Sequence, residues 1–195
     1  MFALDFRHPG VDDVPAQKGR RSMPLLQETR DFLIFLRQNS LLRRRIAAPP
    51  DKTLIYAGTL FKPAWKELAE IRARNPGDNN FELLPDVLNR LPPPPGAAGT
   101  LKTYVEVLTD ERRMPWKDNG FVIWRALSGI YASNAIGKVY VYVGSGITRQ
   151  KVLATTEINV LARNPNIDPV SLEVIRYIQD CVRTKNGNIN FGYMP

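Results

Sequence analysis

The sequence predicts an α+β fold: a small twisted mixed or antiparallel sheet with a helical N-terminal cover and a C-terminal helix. Three observations lead there. Thr53-Leu54-Ile55-Tyr56-Ala57 and Lys138-Val139-Tyr140-Val141-Tyr142-Val143 have the β-branched and aromatic density of short strands. The stretches around them carry apolar residues at helical spacing. No internal repeat is evident, which removes solenoids. With 195 residues, 44% of them hydrophobic, the chain can build one substantial core. We read one domain over 23–195, preceded by a basic arm over 1–22 in which Pro, Gly, Asp and basic residues mix without periodicity.

A first helix is expected over 24–45, with Leu25, Thr29, Phe32, Leu33 and Leu36 on one face and Arg43-Arg44-Arg45 at the end the dipole favours for cations. That arginine run reads first as a solvated helix end and second as a phosphate site. Pro49-Pro50 ends the unit, and Gly58 closes the strand that follows. Pro63 opens a second helix whose face holds Phe61, Ala64, Trp65, Leu68 and Ile71, so Trp65 reads as core. A Pro-rich loop occupies 92–99, a spacer before Thr100, which can cap a helix carrying Leu101, Tyr104, Val105 and Leu108. After the turn Asp118-Asn119-Gly120, a stripe of Ile123, Leu127, Ile130, Tyr131 and Ala135 predicts another helix, with Gly137 as its terminator. Gly144-Ser145-Gly146 reads as a hairpin turn, since no P-loop lysine follows. Asp168 and Pro169 are placed to cap and open a last helix with Leu172, Ile175, Ile178, Cys181 and Val182 inside.

Residue types narrow the chemistry. Cys181 is the single cysteine, which excludes an intramolecular disulfide and a multi-thiolate zinc site. His8 is the single histidine and falls in the arm, so serine or cysteine triads, paired-histidine ribonucleases and histidine metal sites lack their base or ligand. No metal site is expected. A charge interrupts the first residues before any long apolar run, which reads as no secretory signal, and no stretch is long enough to span a membrane. The expected location is cytoplasmic, or a target-cell cytosol reached by a route without a classical signal peptide. The net charge of +8 favours anionic partners.

A carboxylate-centred chemistry remains. Leu54-Ile55-Tyr56-Ala57-Gly58-Thr59, then Ser128-Gly129-Ile130-Tyr131-Ala132, then Thr155-Thr156-Glu157 follow one another in an order that resembles ADP-ribosyltransferase-type bacterial toxin domains. Those families use a first strand with a cofactor-binding Arg or His, a Ser-containing strand leading into a helix, and a Glu on or beside a later strand. The resemblance implies NAD as substrate, with Glu157 holding the nicotinamide ribose as positive charge develops on it and Ser128 orienting Glu157. It implies cofactor contacts from Tyr56, Gly58 and Tyr131. Ala57 stands where the families carry Arg or His, which passes the phosphate contact to Arg125 or Lys62. Thr155 stands where a second Glu would direct transfer to arginine, which implies another acceptor or plain NAD hydrolysis. The implied role is an intracellular toxin or effector whose partners are NAD, a protein or nucleic-acid acceptor, and an immunity or chaperone protein. Residue by residue, Ser128 also reads as bonding its own helix, Glu157 as lying near a helix N-terminus, and the tyrosines as packing. Two non-enzymatic readings stand beside this one: a basic nucleic-acid-binding module and an adaptor or assembly protein.

Overall fold

A computed structural model describes residues 26–56, 66, 81–110, 119–142, 151–184 and 193–194. The expected arm, the helix from Pro63 and the Gly144-Ser145-Gly146 turn lie outside the described residues, as do Gly58 and Lys62. The described residues form the mixed α+β arrangement expected.

Helices α1 (Gln27–Gln38) and α2 (Ser40–Arg45) replace the single helix expected over 24–45. The break lies at Asn39, whose Oδ1 accepts from Leu42 N at 2.9 Å and so caps α2. An asparagine offers the backbone this local alternative to continuing a helix, and the register of the apolar stripe hides it. Thr29, Phe32 and Leu36 are buried, with Leu42 continuing the contact from α2.

Strand β1 (Thr53–Tyr56) pairs in parallel with β2 (Val139–Tyr142), and β2 pairs antiparallel with β3 (Tyr193–Met194), giving a mixed sheet of order β1-β2-β3. Beyond β1, Glu82 N donates to Lys52 O at 2.8 Å and Leu54 N to Glu82 O at 3.1 Å, so β1 is flanked on both edges. Alternation sorts the strand residues. Ile55, Val139 and Val141 enter the main core, while Leu54, Tyr56, Tyr140 and Tyr142 pack with Phe81 and Leu83 on the opposite face.

Helix α3 (Leu84–Asn89) starts where Asp86 Oδ2 accepts from Leu83 N at 3.0 Å, and α4 (Leu101–Leu108) where Thr100 and Thr103 exchange side-chain and backbone bonds. Helix α5 (Gly120–Ser133) carries the buried stripe Ile123, Leu127 and Tyr131. It ends before Gly137, the expected terminator, because Asn134 caps it instead. Gly137 has another task. At φ +72° it lies against Asp51, whose Oδ1 is 2.1 Å from where a Cβ would stand, and Lys138 N donates to that oxygen at 2.7 Å.

A stretch of π-helix, Leu153–Glu157, runs directly into α6 (Ile158–Leu161). Asn159 Nδ2 donates to the carbonyls of Ala154 and Thr155 at 3.2 and 3.1 Å, bracing the junction of the π-turn and α6. Helix α7 (Pro169–Thr184) is capped as expected: Asp168 Oδ1 accepts from Val170 N and Ser171 N at 3.0 and 3.2 Å. Ser171 Oγ donates to Asp168 Oδ2 and accepts from Val139 N at 3.1 Å, tying α7 to the start of β2.

Candidate functional site

The site grows from the packing of α5 against the π-turn, beside the C-terminal end of β1. Glu157 is the last residue of the π-turn and only 8% exposed. A buried carboxylate costs several kcal/mol unless it is paired or protonated. Here its hydrogen-bond partner is Ser128, itself buried in the middle of α5. Burial pushes the Glu157 carboxyl up from 4.5 to about 7, and the Ser128 hydroxyl pulls it part of the way back.

Two phenols stand within electrostatic reach of that carboxyl. Tyr56 closes β1, and burial, then the Glu157 charge, raise its hydroxyl well above the ordinary range. Tyr131, one turn after Ser128 on α5, is raised mainly by burial and also feels Glu157. Tyr131 Oη donates to Glu82 O at 2.5 Å, which locks the ring between α5 and the edge of the sheet. The Glu82 carboxylate is ion-paired to Arg90, with a second contact from Nη2 at 2.6 Å, so its charge is answered outside the site. Trp124 lies one turn before Ser128 on the same side of α5 and is half-buried.

Of the residues singled out in the sequence, Glu157, Ser128, Tyr56 and Tyr131 come together. Gly58 lies outside the described residues. Arg125 is exposed and lines a cleft with Thr155, Thr156 and Arg163. At about 100° per residue, Arg125 and Tyr131 fall on either side of Ser128 around α5, so the cleft lies on the other side of the π-turn from the phenols. The local setting differs from the toxin-domain pattern in two respects. Ser128 is inside a helix rather than on a strand leading into one, and Glu157 ends a π-turn rather than standing on or beside a strand. The physical cause is the run from Leu153 to Leu161, whose buried Leu153, Ala154, Glu157, Ile158 and Leu161 recur at helical spacing. The Ser128 hydroxyl acts on the Glu157 carboxyl, and Glu157, which ends the π-turn, is also the N-cap of α6, in line with the reading that places it near a helix N-terminus.

Residues missed in the sequence include Glu82, whose carbonyl holds Tyr131, and Arg163, which carried no motif. Asn164 is a third, in an Asn-Pro pair whose sequence signals only a turn. Its Nδ2 donates to the carbonyls of Ala132, Ser133 and Ala135 at 3.1, 3.2 and 2.9 Å, closing the end of α5. Among the described residues no group of three or more His, Cys, Asp or Glu is arranged to hold a metal ion, and no helix is long and apolar enough to cross a membrane.

No protein-family model matches the chain, and no curated protein matches its sequence. Two solved structures overlap with it. One, of CD38, comes from work on the catalytic mechanism of CD38 and a conformationally flexible covalent enzyme–substrate complex. It is 15% identical, the match covers 83% of this chain and 70% of that one, and the TM-score is 0.41. The other is porcine CD38 with a covalent ribo-F-ribose-5′-phosphate intermediate, 21% identical, covering 85% of this chain and 75% of that one, with a TM-score of 0.35. With TM-scores below 0.5, neither similarity bears on the chemistry of this chain.

Proposed function

We propose that the chain cleaves the nicotinamide–ribose bond of NAD, as an NAD glycohydrolase or an ADP-ribosyltransferase acting inside a target cell. The observation that carries the reading is the Glu157 carboxyl, buried and bonded by Ser128, with the Tyr56 and Tyr131 phenols within reach of its charge. A buried, raised carboxyl with no cationic partner among the described residues favours a ligand that brings its own positive charge. The nicotinamide of NAD is a pyridinium, and aromatic faces attract such a cation.

The leaving group also fits. Ordinary glycosides need a second carboxyl to protonate the departing oxygen. A pyridinium needs none, because the electron pair of the breaking C–N bond discharges its nitrogen. Ionised Glu157 then stabilises the positive charge left on the ribose carbon, and water or an acceptor nucleophile completes the reaction. Ser128 is a positioning residue that favours the ionised form. Tyr56, Tyr131 and Trp124 supply walls for the ring, and Gly58 is proposed to meet the cofactor where the chain leaves β1.

The test is nicotinamide release by wild type and Glu157→Ala, with and without cell lysate as a source of acceptors. Release that disappears in the variant supports the reading, and label transferred to lysate protein or nucleic acid separates transfer from hydrolysis. No release from folded wild type overturns it.

One observation favours a second reading. Arg43, Arg44 and Arg45 are all exposed at the end of α2, which suits a nucleic-acid backbone. RNA or DNA affinity that falls steeply with salt and survives Glu157→Ala supports that alternative.

A further inference from the structure

Behind the π-turn, on the side away from the phenols, Arg125 of α5 and Arg163 after α6 line one cleft of about 500 Å³ together with Thr155, Thr156 and Ser133. No carboxylate lines it, and neither guanidinium makes an ion pair or hydrogen bond among the described residues. Two of the three asparagine amides in its wall are already committed. Asn164 Nδ2 serves three carbonyls, and Asn159 bonds two carbonyls and accepts from Gln179 Nε2 at 2.8 Å. The chemistry left for a ligand is therefore two arginines, the hydroxyl of Thr156 and the side-chain amide of Asn166. Two like charges facing one concavity repel each other, and a multivalent anion of matching size removes that cost. Guanidinium groups hold phosphate through paired, directed N–H bonds, and the volume falls within the range of small-molecule sites.

We propose that this cleft binds a pyrophosphate-bearing small molecule, and that its occupancy is felt at Glu157. The link is short. Thr155 and Thr156 immediately precede Glu157 in the same π-turn, and a Cβ on Gly129 of α5 would stand 3.3 Å from Thr156 Cγ2. The turn is thus closely packed on α5, and a ligand that moves Thr156 moves the segment carrying the carboxyl. The binding claim is independent of the NAD reading; the effect on turnover rests on it.

The experiment is titration calorimetry with sodium pyrophosphate on wild type, the double variant Arg125→Ala/Arg163→Ala, the single variant Arg163→Gln and Glu157→Gln. Saturable binding to wild type is expected. It should weaken at least about tenfold in the double variant, partly in Arg163→Gln, and change by no more than the coupling, well under tenfold, in Glu157→Gln. No saturable binding, or binding indifferent to both arginine substitutions, overturns the site, as does binding lost in Glu157→Gln. Because calorimetry needs no NAD, failure of the NAD reading leaves this result decisive. If NAD is turned over, pyrophosphate should change the rate at saturating NAD. Purely competitive inhibition would instead make the cleft the phosphate arm of the substrate site and contradict a separate one.

Discussion

On one side of the π-turn, Glu157 is buried against α5 with phenol rings within reach; on the other, Thr155 and Thr156 open onto a cleft with two guanidiniums and no carboxylate. Adjacent residues of one helical turn thus meet two opposite electrostatic settings. The difference comes from solvation. Burial makes the charged form of an acid expensive and raises its pKa, whereas the two arginines lie exposed to solvent. On the two proposals, a helical segment that ends in a buried acid and shows its hydroxyls to a basic cleft would sort a cationic ligand to one face and an anionic one to the other.

The contrast can be broken at the shared framework first. Asn164 closes the end of α5 beside the cleft with its side-chain amide on the carbonyls of Ala132, Ser133 and Ala135. Asn164→Ala is expected to cost about 3 kcal/mol, read as a lowered urea midpoint with unchanged slope, and to weaken both faces together. An unchanged midpoint would mean that the two faces do not depend on that joint.

Glu157→Gln sharpens the contrast through pH. The acid is raised from 4.5 to about 7, so the stability present with Glu157 protonated below about pH 4.5 is lost as pH rises through about 7. Glutamine cannot ionise. By pH 8 the variant is expected to exceed wild type by up to roughly 3 kcal/mol in urea unfolding, with no such gain at pH 4. An equal gain at both pH values would contradict the burial account.

Much of the frame was legible from periodicity and local bonding. Leu101, Val105 and Leu108 of α4 and Ile175, Ile178, Cys181 and Val182 of α7 recur at helical spacing, and Thr100 and Asp168 are caps whose chemistry depends only on near neighbours. The tyrosines alternate on β1 and β2 as a pleated strand requires. What stayed hidden depended on tertiary context. The break at Asn39 was masked because the apolar stripe continues through it, and Gly137 was assigned to a helix end when its need for positive φ came from Asp51, distant in the chain. The order of short segments singled out Ser128 and Glu157, but nothing in either segment revealed the π-turn, since an added residue in a helical turn has no composition of its own. The pairing of Arg125 with Arg163 across a cleft had no local signal at all.

Smaller effects probe each face separately. Ser128 bonds the ionised carboxyl, so Ser128→Ala should raise the Glu157 pKa further and shift the rising limb of the pH–rate profile above about 7. Activity would fall by about tenfold at pH 7 and recover near pH 9; a uniform loss at all pH values would point to structural damage instead. Gly129→Ala is expected to change stability by less than about 1 kcal/mol. Its helix propensity gain is offset by the contact with Thr156, and thermal unfolding measures the balance.

Nicotinamide release from NAD at pH 8 by wild type and Glu157→Gln tests the central claim most directly, because the variant keeps the shape of the side chain and is expected to be the more stable protein there. The account predicts turnover by wild type and a loss of about a thousandfold or more in the variant. Turnover that survives the substitution, or a folded wild type that releases no nicotinamide, would contradict it.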